Sequence, residues 1–190
     1  MFTKKWILIL MALTALAQIG IPIVMVIDSE HILDDGIPNK IRTAPVDPND
    51  PFRGKYISLD FENDYFVIED DTDWKRNDLV YVLFQKDSFG FATIKAITKN
   101  PPSESRNYIK TSIQRVSYYS NRGHYRVYVD FPFDRFYMEE SKAPKAERLY
   151  NTGVRQDSAE VYALLMVEDG NFILKDVFYN GISIGEMVRE

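Results

Sequence analysis

The side chains that could do chemistry are few and scattered. His31 and His124 are the only imidazoles, and imidazole is the usual general base near neutral pH. His31 lies on the approach to a run of prolines and His124 follows Arg122-Gly123 at a turn, so neither is set in a nucleophile-elbow pattern such as G-x-S-x-G. There is no cysteine, which removes thiolate nucleophiles, thiolate metal sites and disulfides together. Glu139-Glu140 falls near the end of an expected strand, where adjacent side chains point apart and make a poor acid–base pair. Glu69-Asp70-Asp71-Thr72-Asp73 lacks the spacing and the glycine of a calcium loop and reads as a solvated turn. A Ser–Lys dyad stays open in principle, but nothing singles out one pair. Without a nucleophile, base and orienter in one place, the sequence predicts a non-enzymatic protein with no cofactor and no metal.

The N-terminus is more informative. From Trp6 to Ile27 there is no Asp, Glu, Lys or Arg. At about 1.5 Å per residue such a run spans roughly 30 Å, the thickness of a bilayer hydrocarbon core. Gln18, Gly20 and Pro22 interrupt it without ending it, since glycine and proline are tolerated in membrane helices. Lys4 and Lys5 precede the run, and Asp28, Glu30, Asp34 and Asp35 follow it. The positive-inside rule then places the N-terminus in the cytoplasm and the remainder outside. Ala15-Leu16-Ala17 resembles a signal-peptide cleavage site, but the apolar run continues to Ile27, which favours an uncleaved signal anchor. The expected organisation is a cytoplasmic stub and transmembrane anchor over residues 1–27, a proline-rich extracytoplasmic approach loop over 28–52, and a folded domain over 53–190. Pro38, Pro45, Pro48 and Pro51 predict that the approach loop runs extended over the surface, with neither helix nor central strand.

In the folded domain the dominant pattern is period two. Lys55 to Glu62 alternates, with Tyr56, Leu59 and Phe61 available for burial. Leu79 to Phe84 and Phe89 to Thr98 read as a hairpin around Lys86-Asp87-Ser88. Tyr108 to Ser117, His124 to Phe131, Ala159 to Val167 and Asn171 to Phe178 are further strands. Glu168-Asp169-Gly170-Asn171 and Tyr179-Asn180-Gly181 supply tight turns, and Ile182 to Ile184 a last short strand. Helical signals are confined to one turn at Asp64 to Ile68 and a short helix at Ala143 to Tyr150, opened by Pro144. The fold class is therefore mainly β: an N-terminal transmembrane helix, then an antiparallel β-rich domain, barrel- or sandwich-like, with one or two short helices. Val80-Tyr81-Val82-Leu83 and Val161-Tyr162-Ala163-Leu164 echo one another, each opening a hairpin whose return strand carries Phe91 or Phe172. Duplication of one meander and the restricted composition of core strands both account for this echo.

The net charge of −5 is unevenly spread. Asp28 to Asp73 is rich in acids, whereas Lys95 to Arg126 holds seven bases against Glu104 alone. Tyr108, Tyr118, Tyr119, Tyr125 and Tyr128 interleave with those bases. In a cytoplasmic chain this strip would fit single-stranded nucleic acid; export argues for no nucleic acid. What remains is an anionic lipid headgroup, an acidic glycan or an acidic protein face, with Arg115, Arg122 and Arg126 as candidate contacts. Outward-facing strand positions also carry charge by default. The dense aromatic run Tyr125, Tyr128, Phe131, Phe133, Phe136 and Tyr137 is expected to be core.

Residues Asp47 to Phe61 carry a signature. Arg53-Gly54-Lys55-Tyr56-Ile57-Ser58-Leu59-Asp60-Phe61 resembles the motif of the GDYxxLxY family of bacterial membrane-anchored proteins: Gly54, Tyr56 and Leu59 match, Lys55 replaces the acidic residue and Phe61 the final tyrosine. The first hairpin, Pro102 before Tyr108-Ile109-Lys110, Asp134 to Glu140 and the Asp169-Gly170 turn extend the resemblance over most of the domain. It implies an exported domain that is often encoded beside multi-pass membrane proteins, and it brings no established catalytic residues. Physically, Arg53-Gly54 would permit a tight bend that a Cβ obstructs, and a bulge or a barrel corner would turn both Tyr56 and Leu59 inward. The functional alternative makes Arg53, Lys55 and Tyr56 a recognition edge. The leading expectation is a membrane-anchored binding or assembly module acting with a multi-pass membrane protein. The runner-up is a domain that binds anionic lipid or glycan, and a hydrolase is third.

Overall fold

A computed structural model describes residues 4–44, 56–69, 74–120, 123–155 and 159–189. Its first element is a single helix, α1 (Lys4–Asp35). The apolar run supplies most of its length, and Pro22 sits inside it without ending it. The helix is long and apolar enough to cross a membrane, and none of its residues is buried against the rest of the chain. It does not stop at the end of the apolar run. Asp28 to Asp35 prolong it by about two turns, and Gly36 then closes it with an N–H to the Ile32 carbonyl at 3.0 Å. A Cβ at Gly36 would collide with that carbonyl and lie 3.3 Å from Met166 Cβ, so the helix can pass this close to the sheet only through glycine.

Strand β1 (Ile37–Ala44) follows immediately. It corrects the expected approach loop: this segment lies inside a sheet, between β10 (Val161–Glu168) and β3 (Asp60–Phe61). Pro38 stands opposite Met166 near the start of β1, where β10 is its ladder partner; β3 joins only at Thr43 and Ala44. A residue lacking an N–H is tolerated where one side of the strand is unpaired. Pro45, Pro48 and Pro51 lie outside the described residues.

The remaining strands are β2 (Tyr56–Ser58), β4 (Tyr65–Ile68), β5 (Leu79–Lys86), β6 (Ala92–Thr98), β7 (Tyr108–Ser120), β8 (His124–Val129), β9 (Arg135–Tyr137), β11 (Asn171–Tyr179) and β12 (Ile182–Ser183). They form two five-stranded antiparallel sheets, β12-β11-β10-β1-β3 and β4-β8-β7-β5-β6, and the two-stranded β2-β9. Two isolated bridges, Lys40 to Phe91 and Ile109 to Gly170, join the large sheets, giving a nearly closed, barrel-like body. β4 corrects the expected helical turn after Asp64: Tyr65 to Ile68 pair in register with Tyr128 to Tyr125, and that pairing outweighs a local preference worth little over four residues.

The interior is filled from both sheets by Ile41, Val80, Val82, Ile109, Ile113, Val127, Ala163, Leu165 and Val177, all nearly inaccessible. An aromatic cluster joins them: Phe61 meets Phe131 and Phe133 edge-on at 5.4 and 5.1 Å, and Phe131 stacks on Phe133. Helix α2 (Ala143–Val154) buries Ala146, Tyr150 and Gly153, and the Tyr150 hydroxyl donates to the Ala44 carbonyl. Burial pushes the Tyr150 phenol up to about 12, so it stays a neutral donor. A four-residue helix, α3 (Ile184–Met187), ends the chain with Ile184 inside.

Candidate functional site

The motif strand supplies the first candidate. From Ile57 the chain alternates strictly: Ile57, Leu59 and Phe61 point into the core, and the Leu59 N–H donates to the Asp134 carbonyl at 2.8 Å. Leu59 is thus core, where its place in the alternating run puts it; of the motif residues named as a possible interface, it offers no surface. No bulge turns Tyr56 inward, contrary to expectation. It stays half-buried on the opposite face, with its ring 5.5 Å from the Tyr137 ring. Pairing of β2 with β9 aligns Tyr56 with Tyr137 and Ser58 with Arg135. The Arg135 guanidinium lies 5.0 Å from the centre of the Tyr56 ring. Its hydrogen bond to the Tyr137 side chain, aided by Tyr56 and Asp134, holds Arg135 above its usual pKa. Tyr137 is 65% exposed, an unusual value for a tyrosine. This cation–aromatic patch arises from the pairing of distant segments: Arg135 stood out only within the Asp134 to Glu140 stretch, and the exposed Tyr137 corrects the expectation that the whole aromatic run is core. Arg53, Gly54 and Lys55 lie outside the described residues.

The basic strip is a second, separate surface on the outer face of the β4-β8-β7 sheet. Arg115 covers the Tyr128 ring at 3.9 Å, Arg126 covers Tyr65 at 4.6 Å, and the two rings are 5.6 Å apart. The structure therefore brings Arg115 and Arg126 together with Tyr65, a ring that composition alone did not single out. Arg122 lies outside the described residues. Cation–aromatic contacts of this kind contribute about 0.5–1 kcal/mol each at exposed sites, and they occupy ring faces that a sugar platform would need free.

The third candidate lies where α1 meets the barrel. A cleft of about 800 Å³ opens between the last turns of α1 and the β10–β11 turn. His31 belongs to the helix and not to a loop. Its Nδ1 is 3.0 Å from Asp35 and its Nε2 3.6 Å from Glu168. Glu168 is nearly buried and also meets Arg106, which reaches Asp169 at 3.4 Å. Sequence reasoning treated Glu168 as a turn residue. The i, i+4 spacing of His31 and Asp35 was the one local sign of this cluster; its other members come from remote segments.

Sequence reasoning also passed over Gly181-Ile182-Ser183-Ile184-Gly185, which spells a nucleophile elbow. Its geometry is otherwise. Ser183 has φ −56° and ψ 129°, an unstrained extended backbone, and its oxygen accepts from the Glu186 N–H as the cap of α3. Among the described residues no hydrogen bond joins it to either histidine, and no group of three or more His, Asp or Glu is placed to hold a metal. Glu139 is tied to Lys142 and Ser141, which hold its carboxyl below the usual range.

No curated protein and no solved structure matches the chain. A family model does, from Gln18 in the helix to Val177 in β11. The matched span takes in the second half of the helix, the motif strand and the β5–β6 and β10–β11 hairpins almost to the end of β11, so the match covers most of the barrel and not the short signature alone; the chain belongs to the GDYXXLXY protein family.

Proposed function

We propose that the protein is a membrane-anchored binding and assembly module, with its N-terminus in the cytoplasm and its barrel on the outer, periplasmic side of a bacterial cytoplasmic membrane, and that it works beside a multi-pass membrane protein. The observation that carries this reading is the junction at Gly36. α1 runs into β1 with Gly36 alone between them, which keeps the barrel close against the end of the helix. Such an attachment suits a module that presents a surface to a neighbour in the same membrane, where confinement raises the effective concentration of a modest interface. Arg135, Tyr56 and Tyr137 form the surface offered: arginine and tyrosine are the residue types that dominate interface energetics.

Crosslinking of the full-length protein in its native membrane, followed by purification and mass spectrometry, tests the reading against the anchor fused to an unrelated domain. A multi-pass protein captured by the full-length chain alone, and lost in Tyr137→Ser and Arg135→Gln with the urea midpoint unchanged, is the expected result. Efficient crosslinking that yields no membrane protein overturns it. A second reading, binding of an anionic lipid or glycan, draws on the exposed Arg115 guanidinium held over the Tyr128 ring. It predicts salt-dependent retention on anionic liposomes that Arg115→Gln abolishes.

A further inference from the structure

Gln18 sits in the middle of the uncharged run. Along the helix it is about 18 Å from Trp6 and about 14 Å from Ile27, close to the midplane of any bilayer that run spans. Thr14, one turn earlier, satisfies its hydroxyl on the Leu10 carbonyl at 2.9 Å. Among the described residues none gives the Gln18 amide a hydrogen bond. A primary amide in hydrocarbon is costly until it finds a partner, and polar side chains on membrane helices find one on another helix.

The face that carries Gln18 is defined by helical spacing. Met25, Ser29 and Ile32 follow at i+7, i+11 and i+14, on the same side of α1. These three residues, with Asp28 and His31 beside them, form the helix wall of the cleft, whose far wall includes Lys110, Gly170 and Phe172. The membrane amide and the cleft thus open in one direction, and a single occupant would pass along both. An acyl chain offers nothing to an amide. A second copy of this chain fits poorly, because its α1 continues as helix to Asp35 and its outer turns would run into the overhanging β10–β11 turn. A helix that stops at the edge of the hydrocarbon meets no such obstacle.

We propose that the Gln18–Met25 face of α1, roofed by the β10–β11 turn, seats a membrane-spanning helix of a different protein, one that presents a polar side chain near mid-bilayer and ends at the outer surface. The proposal rests on the assembly reading above and names the element through which the partner is held.

The test places a photoreactive phenylalanine analogue at Met11 or Met25, on this face, and at Ile9 or Ile27, at matching depths on the opposite face, in the full-length protein in its native membrane. Adducts at Met11 and Met25 but not at Ile9 and Ile27 are expected, mapped by mass spectrometry to a spanning segment of another protein. Gln18→Leu, which keeps the helix apolar, should lower their yield about tenfold, and Gln18→Asn should restore part of it. Adducts to a second copy of this chain overturn the proposal in favour of a homodimer. Membrane-protein adducts only from Ile9, Ile27 or a probe at Tyr137 overturn the face and leave the assembly reading standing. Absence of protein adducts at every position overturns both.

Discussion

The side-chain amides of Asn39 and Asn107 hold each other between the two large sheets: Asn39 Nδ2 donates to Asn107 Oδ1 at 2.7 Å, and Asn107 Nδ2 donates back to Asn39 Oδ1 at 3.2 Å. Their surroundings match as well. Asn39 pairs with Leu165, and the Asn107 carbonyl accepts from the Phe84 N–H. Two residues on, Ile41 faces Ala163 and Ile109 faces Val82. Each strand flanks a hairpin whose register shifts at the corresponding step, between Leu83 and Phe84 in one and between Leu164 and Leu165 in the other. The echo between Val80-Tyr81-Val82-Leu83 and Val161-Tyr162-Ala163-Leu164 is therefore spatial: β7 with β5–β6 repeats β1 with β10–β11, and the two asparagines sit where the repeats meet.

This pairing predicts strong non-additivity. Asn39 is fully buried, so Asn107→Leu leaves its Oδ1 and one of its N–H groups without a partner, the other staying on the Ile37 carbonyl, and should cost about 1–3 kcal/mol. Asn39→Leu should cost less than that, because Asn107 is half-buried and keeps the Phe84 carbonyl. The double substitution removes both polar groups and should cost less than the two singles together, by about 0.5–3 kcal/mol of coupling. Urea unfolding of the four proteins, followed by tryptophan fluorescence, measures the cycle. Simple additivity would mean that the amides act independently.

Gly153 makes a different demand, for space. A Cβ there would strike the Tyr179 ring and stand 2.8 Å from Val161 Cγ2. Alanine normally favours helix over glycine, yet Gly153→Ala should destabilise the protein by about 1–3 kcal/mol, because it forces α2 off β10 and β11. The urea midpoint decides: a rise would show that Tyr179 gives way without cost.

What the sequence made legible were features decided locally. Asp169-Gly170 and Asn180-Gly181 form the tight turns that dipeptides of this type favour, with φ positive at all four residues, and the apolar run announced α1. What it hid depends on distant partners. The prolines of the approach segment spoke against a strand at Ile37 to Ala44, and only the ladder to β10 overrules them. Tyr65 to Ile68 is too short to show a period, and β8 decides its conformation. The Tyr56–Arg135–Tyr137 patch and the Glu168 cluster were invisible for the same reason: neither is contiguous in the chain.

A motif residue in the core and a β9 residue paired with the motif strand should respond in opposite ways. Leu59 is enclosed in the core, so Leu59→Ala should cost about 2–5 kcal/mol and lower the yield of folded protein. Tyr137→Ser, at an exposed ring, should change stability by about 0.5 kcal/mol or less while reducing partner capture. Equal loss of stability in both variants would assign the patch a structural role and remove it from the interface.

Asp64 gives the barrel a pH dependence of known sign. It lines a small acidic pocket with Asp60, Asp130 and Asp134. Burial raises its pKa above the ordinary carboxylate value, with Asp60 adding to the rise; a backbone hydrogen bond and Arg115 oppose it without cancelling it. The folded state therefore binds the Asp64 proton more tightly than the unfolded chain does. Its contribution to stability is present below the ordinary carboxylate value and is lost as pH rises through the raised one. Asp64→Asn removes this term: the variant should gain on the wild type near neutral pH, and the gap should close as pH falls to about 4. Urea midpoints of the two full-length proteins between acid and neutral pH measure it. A gap that widens toward acid would show that the ionised carboxylate is stabilised in the fold, with Arg115 outweighing burial.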